Sequence, residues 1–563
     1  MGDDLSRIFD IADRYIDRIS ELQPVIATYF GVPGHETEMP DNSPAGDAAQ
    51  AELDRSTLKE LNEAPAENER DRLARDVMAE EIEIGLEAYD AGEQYRGMNI
   101  LHSPFQSARQ IFDLMARDTG EDWDNIAARM SKVPDALSSY RETLEEGVSK
   151  GETTTRRQVR GVIEQAKVYS GQGSGQSFFD GLVSAYDATE LTDGALRERL
   201  ANAASDASQA FANFGTFLSD DHINATPDRD GVGRERYELK ARSYLGAQID
   251  FEETYAWGWE QVRWAESEMA ITSDKIVPGG DFFAAKELLD EDPSRSIEGA
   301  DAFKAWMQDL QDQTIEDLDG THFDIAEPVK TVEVMIAPPG GALAMYYTGP
   351  SEDFSRPGRT WYPVPDGKDR FPLWGEVSIV YHEGVPGHHF QIATTISLGD
   401  QLSRFQKLAA GTSGYVEGWG LYAERLMGEL GYLDNPDYYL GMLGSQLFRS
   451  QRVVVDIGMH LGLRIPNDSN FHPGEVWTPD LALEFMQPTS PFGPQFMVSE
   501  IDRYLGMPGQ AISYKVGERY WLDAREQAKT AAGADFDLKA WHNRALDLGP
   551  MGLAQMQREM AVG

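Results

Sequence analysis

The sequence predicts a predominantly α-helical fold with one small antiparallel β-sheet near residues 328–372. Two patterns carry this expectation. Apolar residues recur at the i, i+3, i+4 spacing of an amphipathic helix over most of the 563 residues. One stretch alternates instead: Val332, Val334 and Ile336 step by two, as a half-buried strand does.

Taken in order, Ile8, Ile11, Ala12, Tyr15, Ile16 and Ile19 share one face of a helix across 4–30. Residues 31–50 are rich in Gly, Pro and Asp and read as a loop. Helices follow at 51–92, 104–118, 121–150, 153–170, 176–188 and 194–219. Pro227 and two glycines break the pattern between Asn224 and Gly233, which divides an N-terminal helical half (1–223) from a catalytic half (234–563). Helices resume at 239–272, 281–290 and 299–317. The sheet comes next. Pro338-Pro339-Gly340-Gly341 ends its first strand, Ala342–Thr348 forms a second, and Trp361-Tyr362 begin a third. Helix returns at 374–397, broken once, and then at 402–429, 436–463, 478–488, 493–504, 508–531 and 537–546.

Composition narrows the function. Fifty basic against 95 acidic side chains give a net charge of −45. Such a surface repels nucleic acid and anionic membranes, so neither is expected as a partner. There is no cysteine, which excludes disulfides, thiolate nucleophiles and cysteine zinc sites. No basic segment followed by an apolar run opens the chain, and no apolar run approaches the ~18 residues of a membrane helix. The expectation is a soluble, cytoplasmic protein. Asp228-Arg229-Asp230 starts like a calcium loop, but Val232 and Leu239 stand where later ligands belong.

The run from Tyr381 to Gln391 holds three of the ten histidines, with Glu383 directly after the first. Neutral imidazoles bind zinc, and a neighbouring carboxylate can take a proton from water at the metal. That is the chemistry of an H-E-x-x-H helix, yet Pro386 stands where the second histidine belongs. In a straight helix His388 would lie about 240° round from His382, and His389 about 10.5 Å along the axis. Pro386 forbids a straight helix. A two-residue bulge at Pro386-Gly387 would return His388 to the missing position, with His389 as the alternative. A kinked helix whose histidines only satisfy core hydrogen bonds is the plainer reading.

A third ligand is expected from a following helix. Glu417 and Glu424 lie two turns apart on one face, with Gly418 and Gly420 allowing close approach. Glu417 is the candidate ligand and Glu424 its supporting carboxylate. Arg452, Asp456 and His460 step by four along an otherwise apolar helix, and a buried polar stripe must be paired. Asp456 is expected to orient a metal-binding imidazole and His460 to donate to a developing oxyanion, unless the stripe is a structural ion-pair ladder. Near the end, Gln510 and Tyr514 share a helical face, and the Tyr514 hydroxyl is a second oxyanion candidate.

At these blocks the chain resembles a bacterial family catalogued as domain of unknown function 885. The family carries H-E-x-x-P-G-H-H-x-Q, E-G-W-x-x-Y-A-E, R-x-x-R-x-x-x-D-x-G-x-H and P-G-Q-x-x-x-Y-x-x-G blocks. All four stand here in that order, at 382–391, 417–424, 449–460 and 508–517. The Arg356-Pro357-Gly358 turn after Tyr346-Tyr347 also looks like the family, and the resemblance covers nearly the whole chain. It implies one continuous domain, distantly similar to helical zinc peptidases of the dipeptidyl-carboxypeptidase and oligopeptidase type. Those have a large multi-helix shell, a central cleft and a small sheet whose edge pairs with substrate.

The resulting expectation is a zinc-dependent hydrolase of short peptides or peptide-like amides. His382, His388 and Glu417 hold one zinc ion, and Glu383 acts as general base. Tyr514 or His460 steadies the oxyanion. Tyr347, Arg356, Arg452 and Gln510 face the substrate, with Arg356 or Arg452 on its carboxylate. The rivals are a binding protein of the same fold without the metal, and a zinc hydrolase of a non-peptide amide or ester. A di-iron carboxylate site is disfavoured, because Asp456 and His460 are four residues apart rather than three.

Overall fold

The computed structural model describes residues 6–173, 175–337, 345–365 and 367–561. The chain is predominantly α-helical. It forms two compact units, Met1–Val232 with Asp502–Met507, and Gly233–Ile501 with Pro508–Gly563. Among the described residues no helix is long and apolar enough to cross a membrane.

The long periodic runs divide at prolines and glycines. The first run is two helices, Arg7–Leu22 and Pro24–Phe30, because Pro24 cannot donate into the preceding turn but suits the first position of a new one. The run 51–92 divides into Pro44–Glu63 and Glu69–Asp90, and 121–150 into Gly120–Met130 and Val133–Lys150. In the first unit the 27-residue helix Gly194–Asp220 is central. Its Phe211 and Phe214 pack against Phe105 at ring separations of 5.0 and 5.6 Å. Arg129 is fully buried there and donates to the carbonyls of His35 and Glu38 and to the Thr28 hydroxyl. One guanidinium therefore ties the loop after Phe30 to the helical core.

The second unit holds the sheets and the helices around them. Strands β1 (Ser296–Glu298), β2 (Val332–Ile336), β3 (Tyr346–Thr348), β4 (Gly358–Tyr362) and β5 (Arg370–Pro372) make two small sheets. β1 pairs antiparallel with β5, and the other sheet has the order β2-β4-β3. Its β3–β4 pairing is antiparallel, whereas β2 runs parallel to β4 with Val334 opposite Thr360. The expected turn at Pro338-Pro339-Gly340-Gly341 and the start of the second run, 342–344, lie outside the described residues. The Gln308 side-chain amide bonds both Val332 O and Val334 N, which covers the β2 edge.

The helices that matter to the site are α1 (Phe251–Ile276), α2 (Ala300–Leu318), α3 (Glu376–Glu383), α4 (His388–Ser397), α5 (Ser413–Glu429), α6 (Pro436–Leu461) and α7 (Ser513–Ala532). Phe303 of α2 stacks on Phe371 of β5 at 4.4 Å and shares a core with Val334, Tyr362 and Val380, which seats α3 against the sheets. α5 and α7 cross where Gly418 meets Gly517, and a Cβ on either would strike the other backbone. α7 starts at Ser513, later than the expected 508, because Gly509 turns the chain at φ 84°. In the first unit, Arg129→Met is expected to cost about 2 kcal/mol by leaving three part-buried acceptors without their donor, read as a lower urea midpoint; an unchanged midpoint would refute this role.

Candidate metal centre

The centre is built where one helix stops and the next begins. α3 ends at Glu383, Gly384 leaves helical geometry, Val385–Pro386 is cis, and α4 begins at His388. The four residues 384–387 thus replace the two-residue bulge expected from the sequence. Three contacts hold this break. The Trp419 indole of α5 donates to Pro386 O at 2.8 Å and Gly387 O at 3.2 Å, and Val385 N donates to the Gln311 side chain at 3.3 Å. Gly387 has no alternative, since a Cβ there would run into the carbonyls of Tyr381 and His382.

The consequence is a convergence that a straight helix denies. The His382 and His388 rings lie 4.6 Å apart at 78°, and each Nε2 is 3.4 Å from the same Glu417 oxygen. One donor atom from each of the three residues falls within 4.8 Å of the others. Tetrahedral zinc with bonds of about 2.1 Å separates its ligands by about 3.4 Å. Two imidazoles and a carboxylate at this spacing therefore fit a small divalent cation. Gly420 makes the fit possible, because a Cβ there would stand 2.7 Å from the His382 ring.

Glu424 orients the first imidazole. Its Oε1 accepts from His382 Nδ1 at 2.7 Å, and its other oxygen accepts from Ser378 Oγ. This fixes Nδ1 as the protonated nitrogen and leaves Nε2 facing Glu417. Burial alone would push His382 down, but Glu417 and Glu424 hold it up at about 10. Burial would likewise raise Glu417, yet the two histidines hold it well below the usual carboxylate range. His388 has no such support, for its Nδ1 is buried without a hydrogen-bond partner among the described residues.

The remaining candidates separate. His389 points elsewhere: Nε2 donates to Val329 O at 2.7 Å and Nδ1 accepts from the Tyr347 hydroxyl at 2.9 Å. Burial lowers it to about 4, so it stays neutral, and with both ring nitrogens engaged away from the cluster it is not the ligand there. Asp456 does not brace a clustered imidazole; its Oδ2 accepts from the Tyr237 hydroxyl at 2.6 Å and from Gly509 N at 2.9 Å. His460 is fully buried, stacked on Tyr237 at 5.3 Å and 3.7 Å from Asp456. That interior position corrects its assignment as an oxyanion donor. Arg452 is paired with Glu500 at 2.8 Å and lies 4.7 Å over the Tyr514 ring. Gln510 reaches Ser413 Oγ at 3.4 Å, and Arg356 is exposed in the turn before β4. Glu383 keeps 9% of its surface exposed and, among the described residues, no hydrogen bond ties its carboxylate down. Ser378, Gln311 and Trp419 were not singled out from the sequence as site residues. Ser378 stands four before His382, the one spacing that signals it.

The chain belongs to a bacterial family of proteins of unknown function, DUF885, whose model matches residues 24–560. It is similar over 99% of both chains to the crystal structure of a protein from Colwellia psychrerythraea, at 22% identity and a TM-score of 0.81. A protein from Shewanella oneidensis is similar over 98% of both chains, at 20% identity and a TM-score of 0.75. Each is described as a "putative lipoprotein". That overturns the cytoplasmic expectation, since a lipid anchor belongs to a membrane surface. A Pyrococcus furiosus carboxypeptidase gives a TM-score of only 0.36 at 14% identity, over 100% of this chain and 95% of that one, too low to carry an argument. No curated protein matches.

Two outcomes follow from the geometry. Gly420→Ala and Glu424→Gln are each expected to weaken divalent-metal binding by about 10–100-fold, measured by competition with a chromophoric chelator; unchanged affinity would remove Glu424 and Gly420 from the centre. Because His382 is raised, its proton is present in the metal-free protein at neutral pH, and the ion pairs it makes are lost only as pH rises through about 10. Metal loading at neutral pH must therefore release a proton, read by calorimetry in two buffers of different ionisation enthalpy.

Proposed function

We propose that this chain is a zinc-dependent hydrolase of peptide or peptide-like amide bonds. The observation that supports the reading most is the convergence of His382, His388 and Glu417 beside a Glu383 that no hydrogen bond ties down among the described residues. Two imidazoles and one carboxylate are a donor set suited to zinc, with a position left open. The ion would supply Lewis acidity toward a carbonyl and would acidify water.

The protein's own groups do the rest. Glu383 takes a proton from the attacking water and delivers it to the leaving amine. It follows His382 directly in the chain, and with Glu376 it adds to the burial that holds the Tyr362 hydroxyl well above its ordinary value. Glu424 keeps His382 in one tautomer throughout. In this reading β3 pairs with an extended peptide backbone. Among the described residues it is an edge strand, the opposite β2 edge is covered by Gln308, and Tyr347 of β3 bonds His389, the residue next to His388. Tyr514, half-buried under Arg452, is the oxyanion donor in this reading. Arg356 takes the substrate carboxylate, because Arg452 already holds Glu500.

Glu383→Gln is the decisive variant. It is expected to lower cleavage of a short-peptide library by about 10²–10⁴-fold while zinc content, measured by atomic emission, stays at the wild-type level. Undiminished cleavage in this variant would refute Glu383 as base, and a wild-type protein that takes up no zinc would refute the metallohydrolase.

A further inference from the structure

A hollow of about 380 Å³ lies where α1, α5 and α7 meet, lined by Trp257, Trp264, Arg425, Glu518, Arg519 and Asp523 among others. Arg425 follows Glu424 on α5 but turns about 100° away from it, so the hollow opens on a different face from the imidazoles.

The charges around it are unequally matched. Arg519 is held by both oxygens of Glu253, at 2.8 and 2.9 Å. Glu518 is buried and already paired with Lys515 and Gln446. Glu429 is committed to Arg525 at 2.8 and 3.1 Å. Two groups are left with only the second claim on those partners. Arg425 comes no nearer than 3.9 Å to Glu518 or Glu429, and Asp523 no nearer than 3.9 Å to Arg519. Arg425 lies instead 5.2 Å over the Trp264 ring, and Arg519 lies 4.8 Å over Trp257. A weakly paired cation and a weakly paired anion thus share a cavity with two half-buried indoles.

We propose that this hollow is a second ligand site, for a small zwitterion with an apolar side chain, such as a free aromatic amino acid. Its carboxylate meets the Arg425 guanidinium in the bidentate geometry arginine favours, its ammonium meets Asp523, and its side chain lies against the indoles. The volume falls at the small end of ligand pockets, which run from about 300 to 1,000 Å³. Both ionic contacts are needed, because either charge alone brings an unmatched ion into a partly buried, aromatic-lined space. The inference does not depend on the hydrolase reading, since none of the lining residues is a metal ligand.

Calorimetric titration of the purified protein with L-phenylalanine tests it, alongside phenylacetate, which lacks the ammonium, and phenethylamine, which lacks the carboxylate. Saturable binding of L-phenylalanine is expected, weaker by about tenfold or more for each analogue and for Arg425→Gln and Asp523→Asn. Asp523 is exposed, so its variant tests the site without threatening the fold. Stripping divalent metal from the protein with a chelator is expected to leave the affinity within about twofold, which separates this site from carboxylate coordination at the metal centre. No saturation by about 10 mM, equal affinity for phenylacetate, or loss of binding on metal removal would overturn the proposal.

Discussion

A proline ring that cannot enter a helix organises the centre. Had α3 continued, Pro386 would have lacked the donor for His382 O and struck that carbonyl. The chain instead leaves helical geometry at Gly384 and resumes it at His388. This detour converts a six-residue separation, which faces opposite sides of a helix, into two imidazoles 4.6 Å apart. Everything around the detour serves to hold it. Trp419 clamps its two carbonyls from α5, Gln311 caps Val385 N, and Gly387 lets the backbone fold against α3.

Charge is the second constraint on the same space. Glu383, Glu417 and Glu424 bring three carboxylates into a largely buried pocket, and buried carboxylates must be compensated. In the metal-free chain the His382 proton does part of this, lying between Glu417 and Glu424. Burial alone would raise Glu424, but its hydrogen bond with His382 and the charge of Arg449 hold it below its ordinary value. A divalent cation between the two imidazoles and Glu417 would compensate the same carboxylates more fully. Proton and cation compete for one set of lone pairs, so the centre is stable in either state but not with neither.

Much of this was legible in the sequence, and the reasons for the rest are specific. His382, Glu417 and Glu424 were readable because residue type and spacing alone put them on helix faces. The break was readable as a need, from Pro386-Gly387, but not as a shape, because its clamps come from Trp419 and Gln311, distant in sequence. Asp456 and His460 were correctly seen as one polar stripe. A period of four says nothing of what faces it, and Tyr237, 219 residues away, claimed Asp456. Helix limits were overrun where the apolar period carries across a break, as it does at Pro24. Gly246 did the same, ending a helix at φ 58°. The cytoplasmic expectation failed for a different reason, since it rested on chain composition and on the opening residues rather than on any packed element.

α5 shows why these features cannot vary independently. One face carries Glu417 and Glu424 toward the imidazoles, and Gly420 leaves the His382 ring its room. A second face carries Gly418 against Gly517 of α7. Trp419 reaches the break, and Arg425 turns toward the hollow beside α1. The helix is thus pinned by backbone-close contacts on faces other than the one that meets the ligands. A ligand carried by such an element is held by packing rather than by its own side-chain rotamer, and that is the tolerance a metal centre demands. The same rigidity makes an enlargement at Gly418 press on the Gly517 backbone and one at Gly420 press on the His382 ring, so either moves Glu417 and His382 relative to each other.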